Sequence, residues 1–118
     1  MDTHQQLLEQ AYHAFNNRDI EGALALMHPD VEWPNGMEGG FVHGHGGIWA
    51  YWTRQWNLID PHVEPVAFGV EDDGRVRTEV HQLIKDLDGT IMTNGTVYHL
   101  YQIENGLVRR MDIEPAEE

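Results

Sequence analysis

The sequence predicts an α+β domain, because the spacing of its apolar residues changes about halfway along the chain. In the first half, apolar residues recur every three or four positions, and in the second half they alternate with polar ones. Asp-Gly and Asn-Gly pairs separate the alternating runs, and such pairs favour the tight turns of β-hairpins. A chain of 118 residues has the length of one domain, so we treat residues 1–118 as a single unit.

Three helices are expected in the first half. The first runs from about Thr3 to Asn17, with Thr3 as its N-cap. A shorter helix follows Asp19 as N-cap and stops before Pro29, which cannot continue a helix. The glycine-rich segment 36–47 is expected to be a loop. The third helix follows this loop and carries along one side Ile48, Tyr51, Trp52 and Trp56.

The strands are expected to form a curved antiparallel sheet with the helices on one face. A short strand at 31–33 precedes the Pro34-Asn35-Gly36 turn. Four longer strands follow at about 63–70, 75–87, 90–104 and 107–114, and together they predict a meander.

Charge and composition exclude several classes of function. There are 20 acidic and 7 basic residues, giving a formal net charge of −13. This field repels phosphate backbones and anionic lipid, so neither nucleic acid nor a membrane surface is an expected partner. No apolar run approaches the ~20 residues of a membrane span, and the N-terminus has no signal-peptide pattern. A cytoplasmic location is therefore expected. The chain has no cysteine, which excludes disulfides and thiolate chemistry.

Three segments, LALMHPDVEWPNG, GHGGIWAYWTRQW and NGLVRRMDI, resemble the SnoaL-like branch of the nuclear transport factor 2 superfamily. The resemblance extends from about Gln6 to Ile113. It implies a cone, in which the curved sheet wraps round the N-terminal helices and encloses an apolar pocket open at one end. This superfamily includes ketosteroid isomerases, polyketide cyclases, limonene epoxide hydrolases, dehydratases and non-catalytic binding modules. The resemblance therefore locates the site without fixing its chemistry.

The known catalytic patterns of these relatives match poorly. A ketosteroid isomerase would have an aspartate base where this sequence has Trp33 or Asn35, so that activity is not expected. The Arg-x-Asp of the epoxide hydrolases would fall on Glu79-Val80-His81. Asp112 lies near the late aspartate of the polyketide cyclases, but one residue out of phase.

His81 is the candidate proton-transfer residue. Apolar content favours the opposite face of its strand as the core, but the resemblance implies that Glu79, His81 and Leu83 point into the cone. Residues at i and i+2 share a face about 7 Å apart, so Glu79 can orient the imidazole as a general base. Tyr98 and Asn35 are expected to donate hydrogen bonds to a developing oxyanion.

Aromatic residues are dense for so small a chain, and they are expected to line the pocket and to favour a flat apolar ligand. The expected ligand-binding residues are Tyr12, Phe15, Trp33, Tyr51, Trp52, Leu83 and Met111.

The other face of the sheet is then left for a homodimer, because it is too apolar to remain exposed. The residues expected there are Val76, Val80, Ile84, Val97, Tyr101 and Ile103.

The His43-Gly44-His45 segment would bind a metal only if a third ligand such as Glu38 or His28 converged on it. We interpret His45 instead as part of the start of the third helix, and expect neither a metal nor a cofactor.

These observations favour a cofactor-independent isomerase, cyclase or hydrolase that acts on a small apolar substrate. The alternative is a non-catalytic module that binds a small apolar molecule, and a third possibility is a structural dimer with a filled interior. An enzyme requires a titratable group deep in the cavity beside a hydrogen-bond donor.

Overall fold

The computed structural model describes residues 3–115, which form three helices and six strands. In chain order, the elements are α1 (Thr3–Asn16), α2 (Ile20–Leu24), β1 (Met27–Pro34), β2 (Phe41–His43), α3 (Gly44–Trp56), β3 (Ile59–Val70), β4 (Val76–Asp86), β5 (Ile91–Glu104) and β6 (Leu107–Pro115). The predicted α+β class is confirmed.

The strands form one curved, open sheet in the order β2-β1-β6-β5-β4-β3. Strands β3 to β6 make the predicted antiparallel meander. Strand β1 extends this sheet by pairing in parallel with β6, and β2 pairs antiparallel with β1. The helices lie against the concave face, so the cone is also confirmed.

Several boundaries differ from those that the sequence predicts. Strand β1 already begins at Met27, and Pro29 is tolerated because the β1–β6 register shifts between Met27 and Glu32. Strand β2 and the start of α3 lie inside the predicted 36–47 loop. Strand β3 begins at Ile59 and includes Pro61 and Pro65; it is an edge strand, where a missing N–H is tolerated.

The concave face of β4 carries its apolar residues, contrary to the register implied by the resemblance. Val76, Thr78 and Val80 are buried. Glu79, His81 and Leu83 therefore lie on the convex face, because successive side chains of a strand point to opposite sides. The expectation that they point into the cone is wrong. Burying valines against the helices is favourable, whereas burying the alternate charged residues would leave charges unpaired in the core.

The prediction that an apolar face of the sheet remains exposed for a dimer is wrong for the same reason. Its six residues lie in the core, against it or along the interior: Val76, Val80, Ile84, Val97, Tyr101 and Ile103. The convex face is instead rich in ion pairs, such as Arg77 with Glu114 at 2.7 Å and Arg110 with Asp112 at 3.1 Å. The apolar surface that suggested a dimer is therefore already covered within one chain.

Within residues 3–115, no helix combines the length and the apolar character needed to cross a membrane.

Candidate functional site

A cavity of about 330 Å³ lies between the concave face of the sheet and helices α1 and α3. Its walls become more exposed along the strands. On β6, Met111 is 2% exposed whereas Ile113 is 46% exposed, and on β5 Tyr101 is buried whereas Val97 is half-buried. The cavity is therefore closed near Tyr101 and Met111 and open near Val97 and Ile113.

Interlocking aromatic rings form one wall of the cavity. Trp52 of α3 meets Trp33 of β1 edge to face, with ring centroids 5.5 Å apart. Phe15 of α1 meets the same indole at 5.0 Å, and Trp56 lies 5.6 Å from it. Aromatic residues four positions apart on α3 share one face, so the helix delivers Trp52 and Trp56 together. These contacts hold a flat, apolar surface in place.

A polar cluster of Tyr12, His99 and Tyr101 interrupts the apolar lining. The Tyr12 hydroxyl lies 2.7 Å from His99 Nδ1, and the Tyr101 hydroxyl donates to the Tyr12 oxygen at 2.7 Å. Tyr12 comes from α1, whereas His99 and Tyr101 come from alternate positions of β5, so both face the concave side. All three residues are buried and line the cavity.

Burial keeps the cluster uncharged. Desolvation lowers the pKa of His99 to about 4 and raises the pKa of Tyr101. Burial, followed by the neighbouring Tyr101, also raises the pKa of Tyr12. A neutral imidazole that accepts from Tyr12 at Nδ1 carries its proton on Nε2. The hydrogen bonds thus run from Tyr101 to Tyr12 to His99, which leaves the Nε2–H of His99 as a donor.

Thr78 adds a further polar atom beside this cluster. It is paired directly with His99 across β4 and β5. Its side chain is buried, and its interaction with Tyr12 lowers the pKa of that tyrosine against the larger effect of burial.

The predicted catalytic residues are not brought together. His81 is exposed on the convex face, with Nε2 2.7 Å from Asn94 Oδ1. Tyr98 lies on the same face, where the Arg77 guanidinium covers its ring at 4.2 Å. Glu79 is also on this face, on the other side of the sheet from the cavity. Asp112, which the sequence places one residue out of phase with the aspartate of the polyketide cyclases, also lies on the convex face and pairs with Arg110.

Asn35 stabilises the loop at the cavity mouth. Its Oδ1 accepts from the backbone N–H groups of Met37 and Glu38 at 3.0 and 2.9 Å. Its amide nitrogen donates to Glu38 Oε1 at 2.8 Å. Both ends of the side chain are therefore engaged within the turn, so Asn35 is not placed as an oxyanion donor.

Six of the seven expected ligand-binding residues line the cavity, namely Tyr12, Phe15, Trp33, Tyr51, Trp52 and Met111. Leu83 does not, because it belongs to the convex face of β4. Contact of the six with a ligand stays a prediction. The sequence reasoning missed His99, although the apolar content of β4 would have identified it: the Val76 face of β4 pairs with the His99 and Tyr101 face of β5.

His43 and His45 do not converge on a common point. His43 Nδ1 lies 3.6 Å from Glu32, whereas His45 Nε2 hydrogen-bonds to the Met27 carbonyl at 3.0 Å. Among residues 3–115, no group of three or more histidine or carboxylate side chains is arranged to hold a metal ion.

A curved sheet wrapped round helices, with a cavity between them, defines the nuclear transport factor 2-like class of proteins. Within this class, the chain belongs to the SnoaL-like domain family, whose model matches residues 8–111.

Solved structures show the same likeness. TerC co-crystallised with polyporic acid is 30% identical, with a TM-score of 0.84 over 98% of this chain and 92% of that one. A putative polyketide cyclase from Xanthomonas campestris is 20% identical, with a TM-score of 0.78 over 94% and 88%. A Mycobacterium tuberculosis protein in complex with estradiol-17beta-hemisuccinate is 17% identical, with a TM-score of 0.78 over 94% and 92%. At identities of 20% and 17%, the last two structures support only the fold. No curated protein matches the chain.

Proposed function

We propose that this protein is a cofactor-independent enzyme that binds a small, flat, largely apolar carbonyl compound in the cavity. The observation that carries this proposal is the neutral, buried His99 beside Tyr12 in the wall of an apolar cavity. A titratable group next to a hydrogen-bond donor is the feature that an enzyme needs and that simple apolar binding does not require.

In the proposed reaction, the Nε2–H of His99 donates a hydrogen bond to the carbonyl oxygen of the substrate. Negative charge grows on this oxygen when a neighbouring C–H gives its proton to water or to a basic group of the substrate. Tyr12 and Tyr101 hold the imidazole in the tautomer that donates from Nε2. One preorganised donor in a site shielded from water stabilises such a transition state by about 2.7–4 kcal/mol. The product is an enolate, which becomes an enol when its oxygen takes up a proton from water; the two are the common intermediates of isomerisation and cyclisation.

The relatives support a small-molecule ligand. TerC was co-crystallised with polyporic acid, and the Mycobacterium tuberculosis protein was crystallised in complex with a steroid derivative. These ligands belong to those proteins; here they support only the general class of a small organic compound.

The test is enolisation of the bicyclic ketone 2-tetralone, measured by NMR as uptake of deuterium beside the carbonyl in D₂O. The matched variant is His99→Asn, which keeps an acceptor for Tyr12 but removes the Nε2–H donor. We expect His99→Asn to lower the protein-catalysed rate about 100-fold or more. His81→Gln, on the convex face, is the control and should leave the rate unchanged. Equal rates for the native protein, His99→Asn and buffer would contradict the proposal.

Non-catalytic binding is the second candidate, and one observation favours it. The lining residues include no Asp, Glu, Lys or Arg within the described part of the chain. The cavity therefore lacks a strong base of its own. If 2-tetralone binds in calorimetry but its deuterium uptake stays at the buffer rate, the binding module is the correct function.

We also propose that two copies of the chain pair through the convex face, with a contact made by ion-paired side chains such as Arg77 and Glu114 instead of the apolar residues first expected there. Sedimentation equilibrium should then give the mass of a dimer at micromolar concentration. A monomer mass would contradict this arrangement.

A further inference from the structure

We infer that the Tyr51 hydroxyl is a second hydrogen-bond donor to the bound molecule, and that the substrate therefore carries oxygen acceptors at both ends. This inference rests on the proposed function, because it names the class of substrate that the same cavity takes.

The Tyr51 hydroxyl already accepts two hydrogen bonds. Its oxygen accepts from the backbone N–H of Gly36 at 3.0 Å and from the Gln55 amide at 3.3 Å. A tyrosine hydroxyl has two acceptor sites and one donor hydrogen, so both acceptor sites are occupied. The hydrogen itself has no acceptor among residues 3–115. Tyr51 is 3% exposed and lines the cavity, so the interior is where an acceptor can reach this hydrogen.

Tyr51 keeps this hydrogen under ordinary conditions. Burial raises its pKa above the usual value, an effect that outweighs the hydrogen bond from Gly36 and the nearby Arg54. A buried donor without a partner is unfavourable, so a ligand acceptor that supplies the missing bond binds more tightly.

The two donors lie on different walls of the cavity. His99 projects from β5 of the sheet and is hydrogen-bonded to Tyr12. Tyr51 projects from α3 and is bonded to Gly36, the neighbour of the exposed Met37. A molecule that accepts from both donors must therefore reach from the sheet to α3.

The charge of the residues that line the cavity restricts the class of substrate further. The lining residues include no side chain with a formal charge within residues 3–115, and the formal net charge of the chain is −13. An anionic ligand would be repelled and left unpaired inside. The substrate class is therefore a flat, uncharged molecule with oxygen at both ends, such as a diketone, a quinone or a diphenol.

The test compares two probes that share one body, 2-naphthol with one oxygen and 2,6-dihydroxynaphthalene with oxygens at opposite ends. Isothermal calorimetry measures the affinity of each for the native protein and for Tyr51→Phe. We expect the native protein to prefer the second probe about fivefold, the effect of one neutral hydrogen bond. Tyr51→Phe should lose this preference while its affinity for 2-naphthol changes less than twofold.

The control variant is Arg54→Met, because Arg54 also holds the mouth loop. Its guanidinium donates to Glu38 at 2.8 Å, and it does not line the cavity. Arg54→Met should loosen the loop and yet keep the preference, since the Tyr51 hydroxyl remains. Thermal melts establish that each variant is folded.

The outcomes of these binding measurements distinguish the proposed function from the inference about Tyr51. If the native protein binds neither probe, the proposed function fails and this inference fails with it. If it binds both probes equally, only the inference fails, and this result does not depend on whether Tyr51→Phe folds. If Tyr51→Phe weakens both probes alike, Tyr51 acts through the loop or through Gln55, which also overturns the inference.

Discussion

Acidification should destabilise this protein through His99 before its carboxylates become protonated. The perturbation is a change from pH 8 to pH 5. Burial lowers the pKa of His99 from 6.5 to about 4 in the folded chain, whereas in the unfolded chain the imidazole is solvated and binds a proton near pH 6.5. Between these values the unfolded state binds the extra proton, so the free energy of unfolding falls as the pH falls.

The size of the effect follows from the two pKa values. Each pKa unit corresponds to about 1.4 kcal/mol, so the full loss below pH 4 is about 3 kcal/mol. At pH 5 most of the unfolded chains are protonated at this residue and most folded chains are not, and the loss there is about 2 kcal/mol. This is a large share of the 5–15 kcal/mol typical of a domain.

Urea denaturation at pH 8, 7, 6 and 5, followed by tryptophan fluorescence, measures the effect. The comparison is His99→Asn, which cannot gain a proton but can still accept from Tyr12. The native protein should lose about 2 kcal/mol more than the variant between pH 8 and pH 5. Parallel losses in both proteins would refute the reasoning, because the stability would then not depend on a neutral, buried His99.

Three further predictions concern single substitutions. Tyr12→Phe should lower the free energy of unfolding by about 1–3 kcal/mol in urea titrations, because the buried His99 and Tyr101 each lose a 2.7 Å hydrogen bond; an unchanged midpoint would contradict the cluster. Trp52→Ala should cost about 3–5 kcal/mol by the same measurement, since the indole is 1% exposed and contacts three other rings. His81→Gln should change stability by less than about 0.5 kcal/mol, as expected for an exposed side chain, and a large loss would place His81 in the interior.

The fold was largely predictable because its signals are local. The change of apolar period and the turns at Asp73-Gly74, Asp88-Gly89 and Asn105-Gly106 depend on neighbouring residues, and each pair lies between two strands of the meander. The parallel contact of β1 with β6 was not predictable in this way. It joins residues far apart in the sequence, such as Met27 and Val108, and no short pattern encodes it.

The site was harder to predict because it depends on which face of β4 is buried. A shift of one residue exchanges the two faces of a strand. The resemblance implied the His81 face, but the alternation of Val76 and Val80 with charged residues was the better guide. The aromatic residues of α3 that line the cavity were predicted correctly despite the wrong face of β4, since helical spacing places Tyr51 and Trp52 on the inner side of α3.

The parallel pairing of β1 with β6 also bears on how the protein is made. Met27 pairs with Val108, and the Val108 N–H donates to the Leu26 carbonyl at 3.0 Å. Both strands supply cavity wall, Trp33 from one and Met111 from the other. During synthesis, one hydrogen-bonding edge of β1 therefore stays unpaired until β6 has left the ribosome, although α3 can already cover the apolar side of the strand. Such long-range closure slows folding, and an unpaired strand edge exposes the nascent chain to aggregation.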